Sequence, residues 1–128
     1  MKKAIIFIVA LLSINVFGQS QKVLEAGVVN LEKALASDVN GLVASGIYTI
    51  VKMKMAHPDL KMETLHHKMK KLVVNGATAE IRYKAALAVQ YLENPWMFRD
   101  VKLAECQNPV AMFTRMATVL EEELLAAQ

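Results

Sequence analysis

The side chains best suited to chemistry gather in one stretch. Met53-Lys54-Met55-Ala56-His57 is followed by Met62, His66, His67 and Met69. Thioether and imidazole donors suit Cu(I), a metal met outside the cytoplasm. Met62, His66 and Met69 stand at i, i+4 and i+7, so one helical face presents all three as a candidate Cu or Zn set. The same spacing also makes an apolar stripe beside Leu65 and Leu72, and Met is a common gap-filler in cores. Lys68, Lys70 and Lys71 disfavour a bound cation there. Core packing is therefore the first reading and a metal site the alternative.

Other reactive patterns are missing. The chain has no CxxCH, no HExxH, no Gly-rich phosphate loop and no GxSxG elbow. None of Ser13, Ser20, Ser37 and Ser45 neighbours a His in the chain. Glu121, Glu122 and Glu123 project about 100° apart on a helix, which does not converge two carboxylates for acid–base work. The chain reads as non-enzymatic and calls for no cofactor. Its one cysteine, Cys106, is either a small buried hydrophobe or a link to another chain.

Side chains suited to contact are easier to find. Tyr83, Lys84 and Tyr91 belong to the polar side of one segment, and Lys52 to a stripe with Asp38, Ser45 and Thr49 on another. Tyr is amphipathic and favours interfaces, so Lys52, Tyr83, Lys84 and Tyr91 are expected to share an exposed partner-binding surface. Trp96-Met97-Phe98 follows Asn94-Pro95 and either closes the core or anchors a partner. Arg82 is expected half-buried, with its guanidinium paired to a carboxylate such as Asp38 or Glu80.

The frame for these residues begins with a leader. Met1-Lys2-Lys3 is a positive n-region, Ala4 to Leu12 an uncharged apolar run, and Val16 and Gly18 stand at −3 and −1 of a cleavage site. Residues 1–18 match a secretory signal peptide, with an uncleaved anchor as the alternative. Losing Lys2 and Lys3 takes the 15 basic residues to 13 against 12 acidic. That balance is poor for nucleic acid. No later apolar run reaches the ~18 residues of a membrane span. The expected product is an exported domain, residues 19–128, in the periplasm or secreted, whose partner is another protein of the cell envelope.

Helical spacing of apolar residues fills the rest of the chain. Leu24, Val28, Leu31 and Leu35 mark a helix over 22–36. Ser37-Asp38 caps a second, apolar nearly all round and ended at His57 by Pro58, which should sit inside. A third spans 60–75 and stops at Asn75-Gly76; a fourth spans 79–93, capped by Thr78. A short helix over 96–105 should bury Met97, Val101 and Ala104. Asn108-Pro109 opens the last helix, which runs to Ala126 with Phe113, Met116, Leu120 and Leu124 inward.

These boundaries recur. Pro58 and Pro95 lie 37 residues apart, and the Ser37-Asp38 and Asn75-Gly76 corners 38 apart. A two-helix unit of that period is the mark of an α-solenoid, with an irregular bundle as the alternative. Val39-Asn40-Gly41-Leu42-Val43-Ala44-Ser45-Gly46-Ile47 and Ala79-Glu80-Ile81-Arg82-Tyr83-Lys84-Ala85-Ala86-Leu87-Ala88 resemble second helices of HEAT-type repeats. The chain is also similar to small exported bacterial proteins of no assigned function that carry I-R-Y-K-A segments. The resemblance implies a helical stack and no catalytic residues. Tyr48, where an Ala is expected, departs from it. The expected fold is all-α, a short two-layer HEAT-like solenoid of five to six helices.

Overall fold

A computed structural model describes residues 21–127, so the expected signal peptide lies outside the described residues. The elements are α1 (Gln21–Leu35), α2 (Asn40–Ala56), α3 (Glu63–Asn75), α4 (Ala79–Glu93) and α5 (Pro109–Ala126). Two one-turn 3-10 helices, Pro95–Phe98 and Leu103–Glu105, stand between α4 and α5. Among the described residues there is no strand, and no helix is long and apolar enough to cross a membrane. The fold is all-α.

Packing follows the apolar stripes. α1 pairs with α2 and α3 with α4, and the pairs meet through α1 against α3 and α2 against α4. α5 lies beside α4 and the 3-10 turns. The expected enclosure of α2 is found: Val43, Ile47, Ile50, Val51 and Met53 are all buried. Thr49, expected on the polar stripe, is buried too, its hydroxyl donating to the Ser45 carbonyl at 2.8 Å. That bond satisfies the hydroxyl inside the helix and frees the position to face the core. Each wholly buried Leu or Ile, such as Leu31, Ile47 or Leu65, contributes about 1.5–3 kcal/mol relative to exposure.

The buried positions keep one register. Leu24, Gly27 and Leu31 of α1 are buried, and so are Met62, Leu65 and Met69, each 38 residues on. Val43, Ile47, Ile50 and Val51 of α2 likewise map onto buried Ile81, Ala85, Ala88 and Val89. The register then slips. Ile81, Ala85 and Ala88 correspond to Met112, Met116 and Val119 only 31 residues later, because the two 3-10 turns replace a full helix.

The short helix expected over 96–105 does not form. Its 3-10 turns bury Phe98, Leu103 and Cys106, while Met97 and Val101 are half-buried and Ala104 is exposed. Backbone carbonyls that a helix would have used are taken by cations. Lys52 Nζ donates to the Ala104 and Cys106 carbonyls at 3.3 Å each, and Arg115 Nη1 to the Lys102 carbonyl at 3.1 Å. Two other corners are fastened the same way, by Lys54 Nζ on the Leu60 carbonyl and Arg82 Nη1 on the Gly76 carbonyl, both at 2.8 Å. Arg82 therefore pairs with a loop carbonyl rather than with Asp38 or Glu80.

Two caps and one inward position also differ from expectation, and α3 begins at Glu63 rather than at 60, which leaves Met62 just outside the helix. Ser37 Oγ accepts from the Val39 N–H at 3.0 Å, which shapes the turn and leaves Val39, without a side-chain cap, to start α2. Gly76 ends α3 at φ −55° and ψ 145°, outside the left-handed region. Glycine is required there by space, since a Cβ would stand 2.7 Å from the Leu72 carbonyl oxygen. At the far end, Leu124 is 69% exposed because α5 runs on past the body it packs against. The caps at Thr78 and Asn108 are as read, accepting from the Ile81 and Ala111 N–H groups.

Candidate functional site

The four residues expected to share a surface are divided by the packing. Helical geometry sets Lys84 and Tyr91 within about 20° of each other on α4 and Tyr83 about 100° from Lys84. Tyr83 is exposed at 56%. The Lys84 side chain is only 17% exposed, with Nζ bonded to Glu80 Oε1 at 2.7 Å and 5.5 Å from the centre of the Phe113 ring. Tyr91 is half-buried against Phe98, ring centres 5.7 Å apart. The arrival of α5 and the first 3-10 turn on this side of α4 draws both inward. Lys52 is occupied as a fastener for residues 104–106, and its ammonium sits 6.0 Å from the Tyr48 ring centre. Tyr83 alone of the four stands free.

The electrostatics record the same enclosure. Burial pushes the Tyr91 phenol above its ordinary range, and burial followed by Cys106 does the same to Tyr48. The hydrogen bond and charge of Lys84 hold the exposed Glu80 carboxyl below its ordinary range.

The candidate metal set is likewise split. Met62 and Met69 are buried in the core, at 5% and 0% exposure. His66 is half-exposed and points its Nε2 at Glu93 Oε2, 2.7 Å away, with Lys70 Nζ 3.8 Å from the same oxygen. A depression of about 150 Å³ adjoins it, lined by Lys54, Met62, Glu63, His66 and Leu92. Lys54 lines that depression, and Lys70 approaches the carboxylate that His66 bonds, so two cations stand near the imidazole. Among the described residues no three of His, Cys, Asp and Glu form a group able to hold a metal ion.

Sequence reasoning missed two features. His57 Nε2 is buried with no hydrogen-bond partner among the described residues, at the corner before Pro58. A groove of about 460 Å³ runs between residues 97–101 and α5, with Met97, Val101 and Val119 apolar, Thr114 and Thr118 polar, Asp100, Glu122 and Glu123 acidic and Arg115 basic. The Glu121–Glu123 run was its visible signal, but the groove needs the 3-10 turn to complete it. No known family model, curated protein or solved structure matches this chain.

Proposed function

We propose that this chain is an exported, non-catalytic helical-repeat module, a short two-layer HEAT-like solenoid that binds another protein of the cell envelope. The observation that carries the reading is the 38-residue recurrence of buried positions from α1–α2 to α3–α4. Stacked repeats of this kind offer extended surfaces for partners, a warrant drawn from fold analogy. Export rests on the charge and apolar pattern of residues 1–18. The partner contact centres on Tyr83, an exposed amphipathic ring flanked by the Glu80–Lys84 pair.

A photoreactive amino acid at position 83, with Lys33 as the control position, tests the contact in intact cells. A discrete adduct from 83 and none from 33 is expected. Equal labelling at both, or none at either, overturns the binding surface. Retention of the chain in the cytoplasm overturns export.

A further inference from the structure

The end of α5 is built against its own interest. Residues 121–127 are all exposed, although 121–126 are still helical. Three glutamates occupy the negative end of the helix dipole, where carboxylates are unfavourable, and none has an ion-pair partner among the described residues. Leu124 and Leu125 are 69% and 62% exposed beside them. A helix end of this composition gains from a neighbour that is basic and partly apolar. The adjoining groove asks for related chemistry: Met97, Val101 and Val119 lie among Asp100, Glu122 and Glu123. Since Arg115 is engaged on the Lys102 carbonyl and Asp100 stands 3.9 Å from Arg99, Glu122 and Glu123 are the charges left to a partner.

The chain itself carries that neighbour. α3 turns His67, Lys70, Lys71 and Val74 to solvent on one side, with Lys68 beside them half-buried and Val74 74% exposed. Lys68 and Lys71 have no carboxylate partner among the described residues. The geometry points to self-association: the groove between residues 97–101 and α5 receives the lysine face of α3 from a second copy of this chain. The two surfaces differ, so the contact is heterologous and runs head to tail. One helix face against one groove falls below the ~1,200 Å² of a standard interface, so the complex is weak. Its attraction between exposed charges fades as salt shortens the Debye length from about 10 Å at 0.1 M to about 3 Å at 1 M. This inference uses a surface apart from Tyr83 and stands or falls independently of the partner-binding proposal.

Sedimentation equilibrium of the purified chain, at low and high salt, reads the association directly. The weight-average mass should rise with concentration at low salt and return to the monomer at high salt. Glu122→Lys with Glu123→Lys should be monomeric throughout, and so should Lys68→Glu with Lys71→Glu. An equimolar mixture of the two variants should associate again, because each then offers what the other lacks. Circular dichroism confirms that both variants remain helical; if either has lost its helix, the milder pair Glu122→Gln with Glu123→Gln and Lys71→Gln replaces the two in the same comparison, with loss of association as the expected result. A native chain that stays monomeric, association that survives the substitutions, or charge-reversed variants that fold but do not complement each other would each overturn the assignment.

Discussion

Gly76→Ala is the substitution whose cost the structure sets most directly. The added Cβ would lie 2.7 Å from the Leu72 carbonyl oxygen and 3.0 Å from both Arg82 Cγ and Ile81 Cγ2. The first of these is backbone and cannot swing aside. The Gly76 N–H also donates to that oxygen at 2.9 Å, and the Gly76 carbonyl accepts Arg82 Nη1 at 2.8 Å, so any shift loosens two bonds at once. Overpacking of this kind costs about 1–3 kcal/mol and each weakened hydrogen bond about 0.5–1.5 kcal/mol. Alanine returns only about 0.4–1 kcal/mol by restricting the unfolded chain. A net loss of about 1–5 kcal/mol results, or roughly 4–8 °C in Tm for each kcal/mol in a domain near this size. Gly41→Ala is the control: nothing lies within 4 Å of its Cβ, and it sits in the first turn of α2. That variant should gain up to about 1 kcal/mol. Thermal melts followed by far-UV circular dichroism compare the two. Equal shifts, or a Gly76→Ala protein as stable as the parent, would refute the close-approach argument.

Two further outcomes follow from the packing. Lys52→Met removes the donor to the Ala104 and Cys106 carbonyls and should free residues 99–108 to open locally, so the buried Cys106 thiol reacts faster with a thiol reagent while the melt of the helices moves little; an unchanged labelling rate counts against the fastener. Because burial raises the Tyr91 phenol, the unfolded chain ionises it first, so its contribution is complete below about pH 10 and is lost as pH rises through the folded value. Tyr91→Phe should flatten that alkaline decline in stability, and an alkaline limb identical to the parent's would show that the decline lies elsewhere.

Helices with local signals were legible from the residues alone. α4 and α5 begin where Thr78 and Asn108 accept from N–H groups three residues on, an interaction contained within one turn of chain. The segment after Pro95 was not legible. Met97, Val101 and Ala104 have helical spacing, but the carbonyls around them are claimed by Lys52, which is 52 and 54 residues away in sequence. The candidate surface divided for a related reason. Lys84 and Tyr91 read as a polar stripe until α5 and Phe98 are laid over them, and nothing local to α4 reports that cover. Tyr83 remained readable because its exposure depends on α4 alone having no neighbour there.

Fastening corners by cation to carbonyl has an evolutionary corollary. Every residue brings a carbonyl, so the acceptors supplied by the exposed Lys102 and Ala104 do not depend on which side chains those positions carry, whereas those of Gly76, Leu60 and Cys106 sit on residues held by space or burial. Substitution can rewrite such a corner while its clasp persists, provided the path of the backbone and the cation on the helix are kept. Descendants of this chain would then vary freely at positions 102 and 104, where α2 and α5 are tied to the segment between α4 and α5, while the clasp at Gly76 would keep its glycine. Their shared ancestry would be written in four cations, one glycine and a backbone trace more than in the remaining letters of the loops.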